Sequence, residues 1–282
     1  MKDEYKPPKT RRMTFLFAKI NLLDLFGKKQ KDKFYENLLA MQEKKSEVKR
    51  FFWALGDIGK DKCDGIEIVY GRFGKTPTER FKKSYDEQKH SYDGLAEDRA
   101  SDWANFFIVP NYDIIAFEEK ATIVRRQFAR RFGDLWRKTT GSEIALEFLV
   151  NKEEVLRIIK SWDKITWASF TLRRNPDTPD EYKELDGLII KTNSRKTKIA
   201  FENTREQDGL NLQKTIVGQA FSMAIGGHGE FRLKGKKGDA TEKVTTKETL
   251  ITKEKDLVDE LPAICEWIGK ELRNIIKGKQ SG

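Results

Sequence analysis

The stretch from Asn105 to Lys138 constrains the fold more than any other. Two apolar runs, Asn105–Val109 and Ile114–Phe117, flank Pro110-Asn-Tyr-Asp113. Proline, asparagine and aspartate pre-set turn geometry, so the segment predicts an antiparallel hairpin. A helix is predicted next, over Ala121–Lys138, because Val124, Phe128, Phe132, Leu135 and Trp136 share one face while Arg126, Arg130 and Arg137 share another. Only Arg125 intrudes on the apolar side. Strands followed by a helix that must bury one face ask for a sheet with helices packed on it.

The rest of the chain repeats this alternation. Met13–Leu23 reads as a strand and Asp32–Val48 as a helix through Phe34, Leu38 and Met41. Arg50–Leu55 and Gly65–Arg72 read as paired strands. The polar stretch Thr76–Arg99 is too poor in aliphatics for core and reads as a long, mobile excursion. After Gly141 come a strand (Glu143–Val150), a helix (Lys152–Trp162) and a strand (Lys164–Leu172), a β-α-β pass. Pro179 in a first turn, capped by Asp177 or Thr178, opens a helix through Tyr182, Leu185 and Leu188. Glu230–Lys237 and Thr241–Thr252 close as a hairpin around Gly238-Asp239. The amphipathic helix Asp256–Lys277 ends the chain, with a stripe of Leu257, Leu261, Ile264, Ile268, Leu272 and Ile275.

The expected fold is therefore α+β, with mixed or antiparallel sheets, packed helices and two β-α-β-type subdomains. They are expected at 13–140 and 141–282, after a flexible segment at 1–12 rich in proline and basic residues. With 38% hydrophobic residues in 282, the chain can build a real core.

No apolar run approaches the ~20 residues of a membrane helix, so a cytoplasmic protein without membrane contact is expected. Cys63 and Cys265 lie far apart in sequence with no CxxC spacing, which suggests neither a disulfide framework nor a zinc site, and a reducing compartment. Lys and Arg number 55 against 45 Asp and Glu, a formal charge of +10, which favours polyanionic partners.

Catalytic signatures are sparse. Gly71-Arg-Phe-Gly74-Lys75-Thr76 has two residues between its glycines where a P-loop needs four, so a tight glycine turn ending a strand is the better account. His90 and His228 are isolated, and no Gly-x-Ser-x-Gly frames a serine. The best enzymatic candidate is Glu118-x-Lys120 at the end of an apolar strand. Metal-dependent nucleases use such a carboxylate and amine with a second carboxylate, here Asp102 or Asp113, around a divalent metal. Basic groupings are more numerous: Arg126, Arg130 and Arg137 on one helix face, and Arg232, Lys234 and Lys236 on one strand face. Repeated cationic donors are what phosphate recognition requires.

Phe106-Phe-Ile-Val-Pro110 with Ile114-Ile-Ala-Phe-Glu118, Leu172-Arg-Arg-Asn-Pro-Asp177, and Gly227-His-Gly-Glu-Phe with Lys234-Gly-Lys-Lys-Gly238 carry a resemblance. From Trp103 onward the chain resembles an uncharacterised group of bacterial domain-of-unknown-function proteins found in mobile elements and phage-defence loci. The resemblance implies bacterial antiviral defence and transfers no catalytic residue. Together with the basic balance it leads to the expectation of a non-enzymatic component that binds or senses DNA or RNA. The alternatives are the metal-dependent nuclease of Asp102, Asp113, Glu118 and Lys120, and an assembly subunit whose C-terminal helix docks a protein partner or a second copy.

Overall fold

The computed structural model describes residues 10–23, 33–78, 81–86, 91–96, 101–173, 183–192, 194, 196–203, 209–213 and 215–280. The central hairpin is formed by β7 (Asp102–Val109) and β8 (Ile114–Glu119), antiparallel, with Phe106 opposite Phe117. Its turn closes on Asp113 in the left-handed region at φ 54°, a conformation that aspartate tolerates better than most side chains.

This hairpin lies inside a larger antiparallel sheet organised by β1 (Thr10–Leu23). One edge of β1 pairs with β8. Its other edge pairs first with β14 (Thr252–Val258) and then with β9 (Glu143–Phe148), so a single long strand holds two partners end to end. Beyond β7 the sheet continues through β4 (Ile66–Pro77), β3 (Phe51–Cys63) and β2 (Ser46–Val48). Between β4 and β7 the chain forms a separate hairpin, β5 (Phe81–Asp86) with β6 (Ser91–Ala96).

Helices cover both faces. On one lie α1 (Phe34–Gln42) and α2 (Arg125–Thr140), whose Phe128 stacks on Phe117 with ring centroids 4.2 Å apart and on Phe132 at 5.7 Å. Each buried phenylalanine removes apolar surface worth roughly 2–3 kcal/mol. Gly141 ends α2 at φ 73°, its N–H donating to the Arg137 carbonyl. On the opposite face α6 (Leu261–Gln280) buries Ile264, Cys265, Ile268, Leu272 and Ile276 against Met13, Phe15, Ile68 and Phe107.

A second antiparallel sheet has the order β11-β10-β12-β13, formed by β10 (Lys164–Arg173), β11 (Lys196–Glu202), β12 (Gly229–Lys237) and β13 (Ala240–Thr245). Its core face carries Ala168, Phe170, Leu172, Phe231, Leu233 and Val244. Onto that face pack α3 (Lys152–Lys160), α4 (Lys183–Lys191) and α5 (Ile216–Met223). The side chains of Asn151 and Thr215 cap α3 and α5 by accepting from Glu154 N–H and Gly218 N–H. Gly235 is required on β12, because a Cβ there would lie 2.1 Å from the Trp162 ring that crosses the strand.

The α+β class with antiparallel sheets is as expected, but several local expectations are corrected. The helix expected over Asp32–Val48 ends at Gln42, and the chain then returns as β2. Gly71 and Gly74 lie within β4 rather than at a turn; they allow close approach, since a Cβ would meet Phe106 Cζ at 2.9 Å or the Asp102 carbonyl at 2.6 Å. The strands flanking α3 sit in different sheets, so the β-α-β pass is a bridge between sheets rather than a crossover. Val124 and Leu188 are exposed; α4 buries Leu185 and Ile189 instead.

Nor does a boundary at 140/141 coincide with the division between the sheets, because β9, β14 and α6 belong with the first. Residues 10–12 of the expected flexible segment are strand, and 1–9 lie outside the described residues, as do His90, Tyr182 and the Asp177-Thr178-Pro179 cap. Cys63 and Cys265, 202 positions apart, form a disulfide between the end of β3 and α6. The expectation of unpaired cysteines is thus overturned, and a reducing compartment loses its basis. No described helix is long and apolar enough to cross a membrane.

Candidate functional site

Strand alternation places Trp103, Asn105 and Phe107 of β7 on the α6 side of the large sheet, with Glu118 and Lys120 beside them. The N-terminal end of α6 leaves this part of the sheet to polar side chains. Glu118, 1% exposed, receives both terminal nitrogens of the Arg11 guanidinium, a fork-to-carboxylate pair. Asn105 donates through Nδ2 to Glu118 at 2.9 Å and to Asp259 at 3.2 Å. Arg11 Nε donates to Asp259 at 3.1 Å, and Lys120 Nζ lies 3.7 Å from Glu118. Arg72 extends the network, bonding Asp57 at 3.1 Å and the Asp259 carbonyl at 3.5 Å. Trp103, 37% exposed, closes it, with Arg72 and Lys120 at 5.3 and 5.4 Å from its ring centroid.

The electrostatics follow from this packing. Burial pushes the Lys120 ammonium below its ordinary range, against the pull of Glu118. Burial pushes the Asp259 carboxyl up, but the Asn105 hydrogen bond and Arg11 outweigh it, and the net shift is down. Positive and negative groups alternate through the cluster, which joins β1, β4, β7, β8 and the lead into α6.

Of the nuclease set, only Glu118 and Lys120 meet. Asp113 lies five residues along β8 from Glu118, roughly 16 Å at strand rise. Exposed Asp102 sits opposite Lys75, three residues along β7 from Asn105. Carboxylates sharing one hard cation must all lie about 2.0–2.6 Å from it. Among the described residues no group of three or more His, Cys, Asp or Glu side chains is arranged to hold a metal. Arg11, Asn105, Arg72 and Asp259 were missed in the sequence because the register of four strands brings them together, and no local spacing announces that.

The basic groups divide between two bodies. Arg126, Arg130 and Arg137 are exposed along the outer side of α2, Arg137 lying 3.9 Å from Asp134. Arg232, Lys234 and Lys236 are exposed along β12, on the face of the second sheet opposite its helices. Register extends this second group well beyond one strand. One row runs Glu202, Trp167, Lys234, Lys243; the next runs Ala200, Ser169, Arg232, Thr245. Lys236 pairs across to Lys164 and Thr241, while Lys198 and Lys196 stand opposite Thr171 and Arg173 on β11. Among the described residues, Glu202 and Glu230 are carboxylates on this face, and Glu147 of β9 meets its Arg173 end. Trp167 lies near its middle, half-buried, with Lys234 Nζ 5.2 Å from the ring centroid. The alternating Lys196-Thr-Lys198 and Trp167-Ala-Ser169 are the period-two signals that mark these additional residues.

Where the two sheets meet, Arg173 pairs with the buried Glu147 of β9, and Lys19 Nζ lies 2.9 Å from His228 Nε2 in the π-helical turn after α5. Burial raises the Glu147 carboxyl, with Arg173 opposing. The stripe of α6 faces the chain's own large sheet, apart from Leu257, which belongs to β14.

Among the described residues, fold and surface define an α+β protein of two large antiparallel sheets and a separate two-stranded hairpin, the first sheet helix-covered on both faces and the second with a cationic face opposite its helices. The chain belongs to the family described as Domain of unknown function (DUF4747), whose model matches residues 14–262 and so spans both sheets. None of the curated proteins matches the chain.

Proposed function

We propose that the protein is a nucleic-acid-binding or sensing component, and that the open face of the second sheet is its contact surface. One observation carries this reading: Arg232, Lys234, Lys236 and Lys243 lie beside Trp167 on one sheet face, and Lys196 and Lys198 extend that face towards the other end of β10. Phosphate backbones are bound by such repeated cations with release of counterions, a term that needs no reaction chemistry. The setting in bacterial antiviral defence comes from the sequence resemblance and forms part of the proposal.

Fluorescence anisotropy of the full chain with labelled DNA and RNA tests it. Replacing Arg232, Lys234 and Lys236 together by Gln weakens binding at least tenfold, while melting is unchanged because all three side chains are exposed. The same replacement at Arg126, Arg130 and Arg137 measures what α2 adds. Wild-type protein that binds neither nucleic acid at low salt would end this reading.

A further inference from the structure

Accepting that reading of the second sheet, we propose further that its ligand is single-stranded nucleic acid, RNA or DNA, with a base stacked on Trp167. In the row Glu202, Trp167, Lys234, Lys243, the indole stands on β10 between two other strands of the sheet. Neighbouring strands are about 4.8 Å apart, so Lys234 on β12 and Lys243 on β13 stand at roughly 5 and 10 Å to one side of the ring, while Glu202 of β11 stands on the other. A strand laid along β12 and β13 meets cationic donors to its phosphates beside an aromatic ring on β10.

The chemistry separates single strands from duplex. In a duplex the bases are stacked on one another, and protein reads their edges by inserting a helix or a two-stranded ribbon into the major groove. An open sheet face offers neither shape. A single strand can turn its bases flat onto an aromatic ring, each such contact contributing about 1–3 kcal/mol, which is roughly a 5- to 150-fold change in affinity. Stacking tolerates any base, and the hydroxyls of Thr171 and Thr241 on the same face add polar partners.

Lys234 Nζ lies over the Trp167 indole at 5.2 Å, so a stacking base takes the place of this ammonium on the ring face and leaves it to meet the phosphate. The next residue, Ala168, is completely buried on the core side, and the opposing Leu233 is likewise buried, so the backbone under Trp167 is anchored. An aromatic restrained before binding loses less entropy on contact.

The experiment titrates the full chain with one labelled mixed-sequence strand made as RNA and as DNA, and with the same DNA strand annealed to its complement. Wild type is expected to bind at least one single strand tenfold or more tighter than the duplex, and the RNA and DNA arms identify which. Trp167→Ala is expected to weaken single-strand binding 5-fold or more and leave duplex binding unchanged; Trp167→Phe is expected to retain most of it. Duplex bound as tightly as either single strand overturns the proposal, and that comparison needs no variant to fold. Equal single-strand affinity for folded wild type and Trp167→Ala also overturns it. If the duplex preference appears while the Arg232, Lys234 and Lys236 variant still loses binding, the parent reading stands and this one falls. Absence of all binding removes both.

Discussion

Glu118 shows how strongly one position is read by its neighbours. In the sequence it is the carboxylate of Glu-x-Lys at a strand end; in the fold its oxygens are taken by Arg11, Asn105 and Lys120. Period-two alternation made Glu118 and Lys120 legible as companions, whereas Arg11 lies 107 residues away and Asp259 enters through the lead into α6. Asp259 carries a pH dependence with a definite sign. Its native carboxyl is held below the ordinary range, so the unfolded chain binds its proton more readily in acid. The stability it contributes is complete above the ordinary aspartate range and is lost as pH falls through the depressed native value. Glu147 acts with the opposite sign: its raised native carboxyl contributes below the ordinary range, and that contribution is lost as pH rises through the raised value. In urea unfolding, the deficit of Asp259→Asn relative to wild type should therefore be largest near neutrality and shrink towards pH 2. A deficit equal at both pH values would contradict the assignment.

At the level of elements, periodicity served best where one face is buried and the other wet. The stripe of α6 and the face of α2 were readable for that reason, as was the alternation of β12. The length of β3 and β4 was hidden by glycine, aspartate and lysine, which look like turn residues but continue the ladder through an irregularity between Gly56 and Gly59. The disulfide was equally illegible, because pairing of Cys63 with Cys265 depends on α6 crossing the β3 end of the sheet. It closes a loop of about two hundred residues, for which chain entropy gives a stabilisation of roughly 5 kcal/mol. Cys63→Ser should lower the urea midpoint, and a reducing agent should do the same to wild type but leave the variant unchanged. A reductant that shifts both equally would remove the disulfide from the account.

Across the whole molecule, the α+β class followed from the order of strands and helices, while the grouping of elements into sheets did not. β9 and β14 return to β1 from the C-terminal half, and no local signal states which strands pair over such separations. The same separation concealed the extent of the basic surface: Arg232, Lys234 and Lys236 were visible on one strand, but Trp167, Lys198 and Lys243 joined them only through register. If this face meets phosphates, the salt dependence of binding counts the contacts. For single strands each neutralised phosphate contributes about 0.7 to the slope of log affinity against log salt. The decisive measurement is that slope for wild type and for the variant with Arg232, Lys234 and Lys236 all replaced by Gln. The account predicts a slope shallower by about 2 in the variant; identical slopes would show that these cations do not touch the nucleic acid.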